Sequence, residues 1–206
     1  MQLANITQRT RLAAILKDHP LVRAQELRSQ GITAATISRA EANGMILRVA
    51  RGLYQSVDSL IDNDQSLAEV AKKVPQGVIC MVSALAYHGL TDQMPRQVWV
   101  AIGHKAWTPT LTYPPIRVIK FTPDYLTRGV EHHPISGVQV PIYSITKTLA
   151  DVFRNARLVD RSIAIEALKS TLNQRRATPS DIIEAAKAGG AYNAIWPVLE
   201  ALTSNG

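Results

Sequence analysis

Cysteine is nearly absent from the 206-residue chain, which carries Cys80 alone. A single thiol closes no internal disulfide and builds no Cys-rich metal site. A stapled secreted scaffold and a structural zinc ribbon are therefore excluded, and a reducing cytoplasm is the expected compartment. Long apolar runs are missing as well. The longest, such as Val98-Trp99-Val100-Ala101-Ile102, have the length of a strand and fall far short of the roughly 18 to 20 residues that a membrane helix needs. The first residues, Met1-Gln2-Leu3-Ala4-Asn5-Ile6, lack a basic segment followed by an apolar stretch, so no cleaved signal peptide is expected. The sequence has no Walker loop, no dinucleotide glycine fingerprint, no Gly-x-Ser-x-Gly and no His-Glu-x-x-His. No catalytic activity and no cofactor are expected.

What is present is ordinary globular material. Hydrophobic residues make up 46% and charged residues 19%, which supports a packed core, and the length allows one large domain or two small ones. The charge is unevenly placed. Of the net +7, +5 falls within residues 1–55, where Lys17 and seven arginines face only Asp18, Glu26 and Glu41. A concentrated positive field favours a polyanion, because Lys and Arg gain by displacing counterions condensed on phosphates.

The same segment has a readable pattern. Leu12, Ile15 and Leu16 form an i, i+3, i+4 stripe before His19-Pro20, which predicts a helix. Val22 to Gln30 reads as a second, short helix closed by Gly31. Thr33 is placed to cap a third helix through Asn43, with Ile37 and Ala40 inward and Gly44 at its end. Beyond Gly44 the period becomes alternation, Leu47-Arg48-Val49 and Leu53-Tyr54-Gln55 about an Ala50-Arg51-Gly52 turn, which predicts a hairpin. Helices joined by a tight turn and followed by a hairpin have the layout of a winged helix-turn-helix, whose second helix enters the major groove. Thr33, Thr36, Ser38 and Arg39 would face out from that helix towards base edges or phosphates. Arg48 and Arg51 would project from the wing, and Arg23 joins them as a DNA-binding candidate. A three-helix adapter that binds no DNA is the alternative for such a layout.

A polar stretch, Asp58 to Asp64, predicts a linker, giving a DNA-binding domain over 1–57 and a second domain over 58–206. The second reads as mixed α/β. Helices are expected at Ser66–Lys73 and Val82–His88, and strands at 97–102, 116–121, 130–135 and 138–142. A helical end follows from Ser144. The fold class expected for the whole is α+β. Ile145, Leu149, Val152 and Phe153 fall on one helical face. Lys147 and Asp151 lie four apart on another, where an exposed or partner-facing pair is expected rather than a catalytic one. Asp160 and Thr178-Pro179-Ser180-Asp181 are cap signals, and Pro197 is expected to bend the last helix or mark its start. His132 and His133, adjacent in a strand, point to opposite faces and read as ordinary strand histidines, so no metal site is expected. Cys80 reads as a small buried apolar residue. Trp99, Trp107 and Trp196 read as core or interface anchors.

Four blocks then stand in order: Arg51-Gly52-Leu53-Tyr54 closing the wing, Ser83-Ala84-Leu85-Ala86-Tyr87-His88-Gly89-Leu90, Val98-Trp99-Val100-Ala101, and Ile145-Thr146-Lys147-Thr148-Leu149-Ala150-Asp151-Val152-Phe153. Together they resemble the AbiEi antitoxins of type IV toxin-antitoxin, or abortive infection, systems. The resemblance implies a bacterial autorepressor whose winged domain binds inverted repeats in its own promoter. It also implies a C-terminal domain that counteracts a cognate nucleotidyltransferase toxin in phage defence, without fixing whether the two proteins touch. Lys147 and Asp151 are the candidates for an antitoxin face. Two other readings remain: a stand-alone winged-helix regulator whose second domain senses a ligand or dimerises, and an enzyme such as a nuclease with a DNA-binding arm.

Overall fold

The computed structural model describes residues 7–19, 21–56, 65–93, 95–111 and 114–204. The expected linker at 58–64 lies outside them, as does Pro20. The fold is α+β. By internal packing the chain divides into two compact units, Met1–Glu69 with Pro134–Gln139, and Val70–His133 with Val140–Gly206.

In the first unit, α1 (Gln8–Asp18) starts at Thr7, whose hydroxyl accepts from the Thr10 amide, and buries Leu12, Ile15 and Leu16. The next segment departs from expectation. Leu21–Arg23 is a strand, β1, and only Ala24–Ser29 is helical, α2. Val22 and Arg23 instead pair with Tyr54 and Leu53. Burying Leu21 and Val22 in a sheet that also satisfies their amides outweighs a weak local helix preference.

Two glycines then frame the third helix. Gly31 sits at φ +80° and Gly44 at φ +68°. After α2 the Gly31 and Ile32 amides donate to the Arg28 and Leu27 carbonyls. After α3 (Ala34–Ala42) the Gly44 and Met45 amides donate to Glu41 and Ala40. Both are Schellman closures, which need a left-handed residue at that position. The hairpin follows as β2 (Ile46–Ala50) and β3 (Leu53–Ser56), with a bulge between Arg48 and Ala50. The sheet order β1-β3-β2 makes a three-stranded wing. Leu12, Leu16, Leu27, Ile32, Ile37 and Ile46 form the core under the helices.

The second unit takes most of the next elements, with Gln65–Glu69 and Pro134–Gln139 grouped in the first: α4 (Gln65–Lys73) leads to a two-residue strand β4 (Val78–Ile79), then α5 (Met81–Tyr87), β5 (Val98–Gly103), β6 (Ile116–Phe121), α6 (Pro123–Thr127), β7 (Val130–Ile135) and β8 (Val138–Tyr143). The sheet order is β6-β5-β4-β8-β7. β4 lies at its centre, with Ile79 opposite Val100 on one side and Ile142 on the other. Two residues carry no alternation, so β4 left no mark in the sequence pattern. β5 is buried from Val98 to Ile102, which accounts for its unbroken apolar run.

Four helices complete this unit: α7 (Ile145–Arg154), α8 (Arg161–Asn173), α9 (Pro179–Gly189) and α10 (Tyr192–Thr203). The cap signals hold: Asp160 accepts from the Ser162 amide, and Thr178 and Asp181 form a reciprocal capping box. Pro197 lies inside α10 rather than at its start. Leu149, Val152 and Phe153 are buried with Leu85, Trp99, Leu168 and Ile195 in one core.

Candidate nucleic-acid interface

The third helix presents two different sides. Ile37 and Ala40 are buried, while Ala35, Ser38, Arg39 and Ala42 are exposed opposite them. Small side chains there allow close approach to another surface. Thr33 and Thr36, expected to face out freely, are already engaged. Gln8 Oε1 accepts from the Thr33 amide at 3.2 Å, the Thr33 hydroxyl at 3.0 Å and the Thr36 hydroxyl at 2.6 Å. Gln8 therefore fastens the first turn of α3 to the first turn of α1. Sequence reasoning missed it because its partners lie 25 to 28 residues away.

Arg48 and Arg51 are exposed on the wing, as expected. Arg23 is half-buried at the junction of β1 and α2, where its amide donates to Glu26 Oε2 at 2.7 Å and the Ala24 amide donates to the Gly52 carbonyl at the wing turn. A cleft of about 350 Å3 opens between α1 and α3, lined among others by Gln8, Arg9, Thr36, Arg39 and Asn43.

The second unit holds a different arrangement, and here expectation is corrected. Lys147 and Asp151 are not exposed: Lys147 is 7% accessible and Asp151 0%. Lys147 Nζ donates to both Asp151 oxygens, at 2.7 and 2.6 Å, and the Tyr125 hydroxyl donates to Oδ1 at 2.6 Å. The ammonium also lies 3.7, 4.3 and 4.9 Å from the ring centroids of Tyr125, Tyr143 and Phe121. Three aromatic rings and a carboxylate replace its water, a cation–π cage closed by an ion pair. Burial pulls the Lys147 ammonium below its ordinary pKa, against the Asp151 charge, and pushes Asp151 up, against Lys147. Burial, followed by the Asp151 charge, likewise raises the Tyr125 phenol. Arg154 packs on Tyr125 from 5.0 Å and donates to the Gly189 carbonyl.

Beside this pair lies a cleft of about 490 Å3, whose lining includes Arg128, Ser144, Lys147, Arg176 and Glu184. Cys80 is fully buried and burial raises its thiol pKa, which keeps it protonated and apolar in character. His88 donates from Nε2 to the Tyr143 carbonyl at 2.8 Å. His133 packs edge-on against Tyr87, with ring centroids 5.0 Å apart. Trp99 is buried, with the Arg117 guanidinium 4.1 Å from its ring centroid. Trp107 is 93% exposed and Trp196 partly so, hence neither is a core anchor.

Helix α3 framed by its closures, together with the three-stranded wing, defines a winged helix-turn-helix. Residues 11–57 match the family described as transcriptional regulator, AbiEi antitoxin. No curated protein matches the chain. Among solved structures, the RV2827C protein from Mycobacterium tuberculosis is similar at a TM-score of 0.55 and 11% identity, over 94% of this chain and 79% of that one. At that identity the likeness shows a shared fold. No helix among the described residues is long and apolar enough to cross a membrane.

Proposed function

We propose that this chain is an antitoxin and autorepressor whose residues 1–57 bind inverted repeats in its own promoter, and whose residues 58–206 counteract a nucleotidyltransferase toxin. The observation that carries the DNA-binding half is the coincidence of the regulator family match with exposed Arg39, Arg48 and Arg51 on helix and wing. The net +5 of residues 1–55 supports it. Ser38 and the exposed alanines of α3 suit close contact with base edges. The full-length chain is expected to retard its own promoter duplex, with an affinity that falls steeply as salt rises. Affinity for promoter no greater than for random duplex, with no salt dependence, would remove the reading.

The antitoxin half rests on the description of the family matched at residues 11–57 and on the resemblance of the blocks at 83–90, 98–101 and 145–153. Co-expression with the neighbouring nucleotidyltransferase is expected to restore growth, and failure by a folded chain would remove this half alone. A ligand-sensing regulator is favoured by one observation, the cleft of about 490 Å3 in the second unit. In that case a small molecule, and no toxin, would change promoter affinity.

A further inference from the structure

The cleft between α1 and α3 combines features that the sequence scattered. Arg9 comes from the first turn of α1 and Arg39 from the second turn of α3, and both line it, with Gln8, Thr36 and Asn43 beside them and no carboxylate in the lining. Among the described residues neither guanidinium has a hydrogen-bond or ion-pair partner. Both are exposed. Gln8 Oε1 is committed to three donors from Thr33 and Thr36, which leaves its Nε2 as the part of the amide able to donate elsewhere. Two guanidiniums and an amide N–H2 at one concave place form a donor-only set suited to the oxygens of a single phosphate.

Resting on the DNA-binding reading, we propose that Arg9 and Arg39 clamp one backbone phosphate of duplex DNA at this cleft. In this arrangement Gln8 is the positioning residue that fixes the first turn of α3 against α1. The DNA contact then extends from helix and wing to the start of α1, and Arg39 sets register on the backbone instead of reading a base. Because both arginines serve one phosphate, their removal is not additive in counterion release. One phosphate corresponds to a slope of about 0.9 in log affinity against log salt.

The test uses the full-length chain and a duplex that it enriches from a randomised pool. Arg9→Ala and Arg39→Ala are each expected to weaken enriched and random duplex by the same factor, roughly tenfold or more. The double variant should flatten the salt slope by about 0.9, whereas two separate phosphates would give about 1.8. A flattening of about 1.8, an unchanged slope, or a loss of discrimination confined to Arg39→Ala would overturn the clamp while leaving the DNA-binding reading in place. A wild-type chain that enriches no duplex would remove both.

Gln8→Glu keeps the oxygen that Thr33 and Thr36 need but places a negative charge at the phosphate. It is expected to melt like wild type and to bind DNA more weakly than Gln8→Ala. Wild-type binding by Gln8→Glu would overturn the assignment.

Discussion

The two units handle charge in opposite ways. In the first, Arg9, Arg39, Arg48 and Arg51 stand exposed on α1, α3 and the wing. In the second, Lys147 and Asp151 are sealed among Tyr125, Tyr143 and Phe121 and satisfied by one another. Exposed cations keep their hydration until a polyanion displaces it, so they contribute to binding and little to folding. A buried pair has already lost its water, and each member depends on the other. The same residue types therefore stay available to a partner in one place and provide cohesion in the other, and the difference is solvent access.

The sharpest way to break that comparison is to remove one member of the buried pair. Lys147→Ala or Asp151→Ala is expected to cost about 3 to 5 kcal/mol in a denaturant titration, because an uncompensated buried charge remains. Replacing both together, as Lys147→Met with Asp151→Leu, is expected to be neutral or stabilising. A cost below about 1 kcal/mol for either single variant would place the pair with the exposed charges instead.

A smaller effect is expected at Thr33. Its hydroxyl accepts from the Thr36 amide and donates to Gln8, so Thr33→Ala should lower stability by about 1 kcal/mol, read from the same titration. An effect on DNA affinity larger than the stability loss explains would show that seating α3 matters to the contact itself.

On the wing, Arg48→Ala and Arg51→Ala should leave the melting temperature unchanged. Each should flatten the salt slope of promoter binding by about 0.9, for all sequences alike. Unchanged slopes for both would take the wing out of the interface.

The smallest effect concerns pH. Burial holds His88 below its ordinary value of 6.5, although its bond to Tyr143 works the other way. The unfolded chain then takes up the proton first as pH falls. The neutral histidine's contribution is present in full above about pH 6.5 and is lost progressively below it. Melting temperature should decline between about pH 6.5 and 5, and His88→Gln, which retains an N–H donor, should flatten that decline. An identical profile for the variant would assign the limb to other groups.

Much of the first unit was legible because its signals are local. A Thr cap, an i, i+3, i+4 stripe and a glycine at each helix end act within a few residues, and α1, α3 and the hairpin followed from them. The caps at Asp160 and Thr178 were legible for the same reason. β1 and β4 were not, since strands of three and two residues exist only through the partners that pair with them. Of the DNA-facing candidates, Ser38, Arg39, Arg48 and Arg51 stand exposed, while Thr33 and Thr36 are held by Gln8 from another helix.

By itself the sequence determined the basic N-terminal segment, the helical periods with their caps, and the four-residue spacing that puts Lys147 and Asp151 on one side of a helix. Tertiary structure alone decided whether that side meets water. Phe121 and Tyr125 come from β6 and α6, and Tyr143 ends β8, so the cage closes only when sheet and helices pack together. Periodicity fixes direction around a helix axis, but burial depends on what other segments bring to that direction.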